Sequence, residues 1–312
     1  MPTLIPAKLT PGDCIGVIAP SDPVPPEFEE RLSEGQAVLE SLGFRVKYGT
    51  YIRSRSLGFT ASPEEKASDL HEMFRDKEVK AVICAQGGDT ANAPLHLLDW
   101  DLIRANPKIF LGLSDITVLL NAIHHRTGLI TFHGSDLLWS FGNDLPAYER
   151  DEFTRILVEG GTGEMPPNRE RCTVRPGRAQ GKLLGGNLRC LLKLAGTPYW
   201  PNFTNAIFFV EAYQITPEAC HAAFAQLLQM GLFDQISGAV VGYIDGMQRE
   251  PKPKPHMEDI LLEITEAYDF PILKVNDFGH NCPNTILPVG ALASLDAGRQ
   301  SFGITAQCVR SS

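Results

Sequence analysis

Paired cysteines, basic clusters, long apolar runs and internal repeats are all missing from this 312-residue sequence. Its seven cysteines (Cys14, Cys84, Cys172, Cys190, Cys220, Cys282, Cys308) are odd in number, scattered and never spaced as C-x-x-C. That pattern excludes a disulfide framework and a zinc knuckle and fits reduced thiols. No uninterrupted apolar run approaches the roughly 20 residues of a membrane-crossing helix. The opening MPTLIPAKLTPGD also lacks the charged-then-apolar layout of a secretory signal, so a cytoplasmic location with no membrane partner is expected. Lys and Arg form no sustained cluster, and the formal net charge is −9, which argues against nucleic acid as a partner. No G-x-G-x-x-G is present. The nearest run, GGDTAN (residues 87–92), has no acid placed for a dinucleotide ribose, so no such cofactor is expected. What is left is a globular chain whose partner is a small molecule.

With 43% hydrophobic residues the chain can bury a sizeable core, and its length suits two domains. The first half alternates strands with helices. CIGVIAP, VKAVICAQGG, KIFLGLS and LITF read as buried strands. The helical segments between them include one with Phe28, Leu32, Leu39 and Leu42 on a single face, ending at Gly43. ASPEEKASDLHEMF has Ser62 as N-cap, Pro63 at the first helical position and Glu65 completing a capping box. Asp115 to Arg126 reads as a helix stopped by Gly128. This alternation predicts an α/β fold with a mostly parallel sheet. Residues 161–180, rich in Gly, Pro and Arg, read as a connection between a domain at 1–160 and one at 181–312. Beyond the connection, GKLLGGN, AIFFVEA, ISGAVVGYIDG, FPILKVNDFGH and TILPVGALASLD are short strands, and TPEACHAAFAQLLQMG is a helix capped by Thr216. A second, smaller β-rich domain follows.

KIFLGLSDITVLL (residues 108–120) places Ser114 between a strand and a helix. At such a turn a serine hydroxyl stands at the C-terminal edge of a parallel sheet, where open α/β folds keep their sites. The next helix aims its N-terminal N–H groups at the same spot. Ser114 is therefore a candidate nucleophile. The plainer reading is a helix cap.

A serine needs a base, and the base an orienting acid. Of eight histidines, His124 and His125 read as cations at a helix C-terminus, and His71 and His221 sit within helices. His96 follows a loop, and His256 lies in the proline-rich REPKPKPHMED, expected as an exposed loop. His133 in LITFHG and His280 in VNDFGHN both follow apolar strands, and periodicity does not rank them. Glu211 closes the apolar run AIFFV, where a carboxylate is costly unless paired. It serves either as the acid or as a satisfied interface residue. Gly87 and Gly88 form either a turn that a substrate approaches closely or a simple strand exit.

Several stretches together resemble the LD-carboxypeptidase family of serine peptidases, which includes hydrolases that give immunity to microcin C. They are GDCIGVIAPS, the GG pair followed by LLDWDLIRANPKIFLGLSDIT, GLITFHG, GKLLGGNLRCLLKLAGTPYWP, IFFVEA and FGH, in the family's order and across nearly the whole chain. The resemblance implies a flavodoxin- or amidotransferase-like N-terminal domain, and a catalytic set of Ser114 as nucleophile, Glu211 as acid and His280 as base. It further implies an oxyanion hole from the N–H groups of Gly88 and Asp115, no metal, no cofactor and a homodimer. Either of two substrates is expected: a muropeptide with an L,D linkage, or a peptidyl-nucleotide conjugate of the microcin type.

The chain departs from the peptidoglycan-cleaving pattern at Gln86, where those members carry Arg, and in DTAN, where they carry Tyr-Gly. It also departs in AYQITPEACHAAF after Glu211 and at Ser135, where His-Gly-Pro is usual. A binding protein without catalysis on the same scaffold is the alternative of another class. An α/β-hydrolase esterase would show G-x-S-x-G, which Ile116 and Thr117 do not supply.

Overall fold

The computed structural model describes residues 2–247 and 255–311. The first half comprises β1 (Cys14–Ile18), α1 (Glu29–Ser41), β2 (Arg45–Tyr48), α2 (Pro63–Arg75), β3 (Val79–Cys84), α3 (Trp100–Ala105), β4 (Ile109–Gly112), α4 (Thr117–Thr127), β5 (Thr131–His133) and α5 (Ala147–Phe153). The second half comprises β6 (Gly163–Glu164), β7 (Cys172–Arg175), β8 (Arg178–Asn187), α6 (Leu188–Leu192), β9 (Ile207–Ala212), α7 (Pro217–Gln229), β10 (Gly238–Ile244), α8 (Met257–Ile264), β11 (Ile272–Gly279), β12 (Leu287–Val289), β13 (Leu292–Asp296) and β14 (Ser301–Ile304).

Runs that are apolar throughout, rather than alternating, form strands buried on both faces, as parallel sheets require. All five residues of β1 and all four of β4 are buried. β2, β1, β3, β4 and β5 pair in parallel, in that order. The capping box on α2 forms as its sequence dictates. Ser62 accepts from the Glu65 N–H, and the Glu65 carboxylate accepts from the Ser62 N–H. α4 ends at Gly128 with φ 82°, the left-handed stop that glycine allows.

The second sheet has the order β6-β14-β13-β8-β9-β10-β11-β7, so the domain with fewer residues carries the sheet with more strands. β8, β9, β10 and β11 are parallel, and the flanking strands are antiparallel. β8 divides its length: residues 178–182 pair with β13, and Leu183–Asn187 pair with β9.

Two features depart from the expected organisation. The 161–180 stretch, read as a connection, contains β6, β7 and the start of β8, and it is fixed to β11 by the buried Arg171–Asp277 ion pair at 2.9 Å. β12, from the second half, pairs antiparallel with β5 and becomes the sixth strand of the first sheet. Short polar edge strands have little apolar period to reveal them, and no local signal marks which sheet a strand joins. His256 is also not in an exposed loop. It is buried at the N-cap of α8, whereas residues 249–254 of the same proline-rich stretch lie outside the described residues.

The two halves meet where α4 lies on the end of β8. Asn121 Nδ2 donates to the carbonyls of Thr117 and Gly185, each at 2.8 Å, and the Asn187 N–H donates to Thr117 Oγ1 at 2.9 Å. Gly186, with φ 134°, sits so close that an added Cβ would fall 2.4 Å from Thr117 Oγ1. Gly186→Ala therefore combines a left-handed strain with a collision. It is expected to lower stability by about 1–3 kcal/mol in urea unfolding, and an unchanged midpoint would show that this contact has slack.

Candidate active site

Strand β4 ends at Gly112, Leu113 continues in extended backbone, and Ser114 then takes φ 62° and begins a 3-10 turn over Ser114–Ile116, with α4 following at Thr117. The helix expected from Asp115 thus begins two residues later. Its cap is Ile116, and neither the turn nor the helix has a side-chain cap, so Ser114 does not serve as the N-cap. A left-handed serine is held against its own preference, and such strain concentrates where a side chain must be aimed.

The turn at Gly87 and Gly88 packs directly on Ser114. A Cβ on Gly87 would lie 2.7 Å from Ser114 Cβ and 3.3 Å from the Asp115 nitrogen. One on Gly88, whose φ is 142°, would lie 2.2 Å from the Asp22 carboxyl carbon. Only glycines allow this approach, which gathers Gly88, Ser114 and Asp115 at one sheet edge. The Asp115 side chain is wholly buried and accepts from Ser21 Oγ at 2.6 Å and the Ala91 N–H at 2.8 Å.

Glu211 and His280 come from strand ends of the second sheet. Glu211 is fully buried near the end of β9, opposite Asn187 in β8, and His280 follows β11. His280 Nδ1 lies 2.7 Å from Glu211 Oε2. Burial disfavours the imidazolium, but the Glu211 charge and hydrogen bond outweigh it and hold the His280 pKa above the ordinary histidine value. Burial likewise raises Glu211, and the charge and hydrogen bond of His280 overcome that and hold it below the ordinary glutamate value. The Tyr213 ring lies over His280 with centroids 4.9 Å apart.

The structure separates the two histidines that periodicity left tied. His133 ends β5 fully buried against Phe209 and Phe278, neither ring nitrogen has a hydrogen-bond partner among the described residues, and burial pushes its pKa down to about 4. It is a neutral core residue at pH 7. His124 departs from its reading as a helix-end cation for the same reason: burial takes it to about 4, and its Nδ1 meets the Leu129 carbonyl at 3.0 Å. No hydrogen bond joins Ser114 to His280 among the described residues. They are linked through structure instead, by α4 on Asn187 and Asn187 beside Glu211. Sequence reasoning passed over Asn187, Tyr213 and Lys193, the last of which bonds Asp115 at 2.5 Å. The GGN strand end was the available signal for the first.

Two family models match the chain, the LD-carboxypeptidase N-terminal domain over residues 15–134 and the LD-carboxypeptidase C-terminal domain over residues 180–295. A probable murein peptide carboxypeptidase of Bacillus subtilis (strain 168) is 34% identical over 306 residues, covering 96% of this chain and 94% of that protein. The microcin C7 self-immunity protein MccF of Escherichia coli is 28% identical over 337 residues, covering 97% and 96%. The structure of MccF in complex with aspartyl sulfamoyl adenosine superposes with a TM-score of 0.91 at 27% identity, covering 98% of this chain and all of that one.

The Glu211–His280 contact generates a direct test. By NMR, His280 is expected to titrate above about 6.5. Glu211→Gln removes the charge while burial stays, so the His280 pKa should then fall below that value. No change on substitution would mean that the hydrogen bond does not set the imidazole's charge.

Proposed function

The chain belongs to the LD-carboxypeptidase family, and on that premise we propose that Ser114, His280 and Glu211 are the nucleophile, base and acid with which this serine carboxypeptidase cuts an amide bond near a peptide C-terminus. The observation that carries the assignment is the buried Glu211 carboxylate on His280 Nδ1 at 2.7 Å. Because Nδ1–H donates to Glu211, the Nε2 lone pair is free. It takes the Ser114 proton as Oγ attacks the scissile carbonyl. The N–H groups of Gly88 and Asp115 receive the negative oxygen. His280 then passes the proton to the departing amine, and water, deprotonated by the same nitrogen, hydrolyses the ester on Ser114.

The L,D-peptide bond of a muropeptide is the substrate we favour, supported by the 34% identity to a probable murein peptide carboxypeptidase. A peptidyl-nucleotide conjugate is the second reading. It is supported by Gln86 and DTAN at the glycine turn and by the likeness to MccF. We further read the enzyme as cytoplasmic, in keeping with its seven free cysteines, and as a homodimer, in keeping with the family resemblance. Light scattering after gel filtration tests the dimer.

The functional test incubates the protein with a muropeptide tetrapeptide ending in D-alanine and with an aspartyl-adenylate mimic, both followed by mass spectrometry. Release of D-alanine is expected, reduced at least about 10⁴-fold in Ser114→Ala. Cleavage of the nucleotide conjugate alone would select the second reading, and equal behaviour of wild type and variant on both would leave a binding protein. The base must be neutral to act, so kcat/KM should fall as pH drops through the raised pKa of His280, with the acid limb above about pH 6.5.

A further inference from the structure

We infer that Lys193 is a positioning residue, an ammonium from the second half that neutralises and fixes Asp115 so that its N–H can receive the oxyanion. The inference rests on the reading of Ser114 and Asp115 above. Lys193 stands at the end of α6, the short helix that continues from the GGN end of β8. Its Nζ lies 2.5 Å from Asp115 Oδ1 and donates to the Asp89 carbonyl at 2.8 Å.

Among the described residues, the other Asp115 oxygen accepts from neutral donors, Ser21 Oγ at 2.6 Å and the Ala91 N–H at 2.8 Å. Asp22, Lys66 and Cys190 also feel the Asp115 charge. Lys66 is directed elsewhere, to Thr90 Oγ1 at 2.6 Å, and Thr90 in turn donates its N–H to Ser21 Oγ at 3.3 Å. Among the described residues, Lys193 alone forms an ion pair with Asp115.

Two consequences follow from the placement. A wholly buried carboxylate without a cation would draw in water or shift its backbone, and the backbone here includes the N–H assigned to the oxyanion. An uncompensated carboxylate on that residue would also repel the negative charge forming beside it, whereas it would hardly affect a neutral substrate. Lys193 therefore acts on the transition state more than on binding. Because it comes from the second half, this part of the site is complete only when the halves are docked.

The test compares wild type, Ser114→Ala, Lys193→Met, Lys193→Arg and Asp115→Asn/Lys193→Met. Readouts are kcat and KM for amide cleavage, the rate of Ser114 labelling by a fluorophosphonate, and thermal melting. Lys193→Met should lower kcat by about 10–10²-fold with KM changed less than about threefold, and labelling should slow in proportion. Lys193→Arg should keep most of the rate. In the double variant, the neutral amide that replaces the Asp115 carboxylate can still accept from Ser21 and Ala91 but carries no charge, so most of the loss should be recovered. Should Lys193→Met fail to fold, the double variant and Lys193→Arg decide alone.

The inference is overturned if Lys193→Met matches wild type, if KM rises with kcat unchanged, or if the double variant is no faster than Lys193→Met. These outcomes leave the Ser114 assignment standing as long as Ser114→Ala is inactive. An active Ser114→Ala would bring down both.

Discussion

Everything at this site depends on one seam, the side of α4 against the end of β8. Ser114 belongs to a sheet edge of the first half, while Glu211 and His280 belong to strand ends of the second. No covalent constraint holds those edges in register. Asn121 does so by bonding within its own helix and across to Gly185, and Thr117 does so by accepting from the Asn187 N–H. These bonds come from the first two turns of α4, the helix that follows Ser114, so an error in docking would be transmitted to Ser114 with little attenuation. Gly186 is what lets helix and strand come this near, while Gly185 lies as close to the Phe209 backbone of β9. β12, which crosses into the first sheet, adds a second tie between the halves.

The site contains two wholly buried carboxylates that solve the same desolvation problem differently. Glu211 pairs with a titratable partner, so the pair can change charge within the accessible pH range and its imidazole can move a proton. Asp115 pairs with an ammonium and with two neutral donors, which fixes its charge and position. In the proposed mechanism a mobile proton is useful beside the Ser114 hydroxyl, and a fixed charge is useful beside the oxyanion. Exchanging the partners would spoil both functions, because a lysine on Glu211 would offer no base and a histidine on Asp115 would leave the carboxylate uncompensated above its pKa.

What could be read from the sequence was what short range determines. Continuous apolar runs gave β1, β3 and β4, Ser62 with Glu65 gave the start of α2, and Gly128 gave the end of α4. Ser114 was legible as a turn residue, but its left-handed φ and its close approach to Gly87 from a distant strand end were not, since no local pattern marks either. His133 and His280 were indistinguishable because both follow apolar strands. Their difference is burial on one side and Glu211 on the other, and both are tertiary facts. Lys193 sat in the amphipathic run LRCLLKL with nothing local to separate it from a solvated lysine. β6 and β7 were hidden by polar composition, and the sheet that β12 joins was hidden by the absence of any local rule for it.

The departures at the glycine turn also take on a physical meaning. Gln86 stands where the peptidoglycan-cleaving pattern has Arg, which suggests a side chain that meets the substrate. In the structure its amide is engaged at both ends: Nε2 donates to the Pro23 carbonyl at 2.9 Å, and Oε1 accepts from Trp139 Nε1 at 3.3 Å. A long cation at this position could still donate to the Pro23 carbonyl but would offer the indole no acceptor. The Trp139 backbone N–H donates to Asp136 Oδ1 at 2.7 Å, and the Arg31 guanidinium lies 4.3 Å over the indole ring. Trp139 as a residue is still 47% exposed. Gln86 is itself buried, so the departure at this position holds a partly exposed tryptophan in place rather than presenting a side chain to solvent.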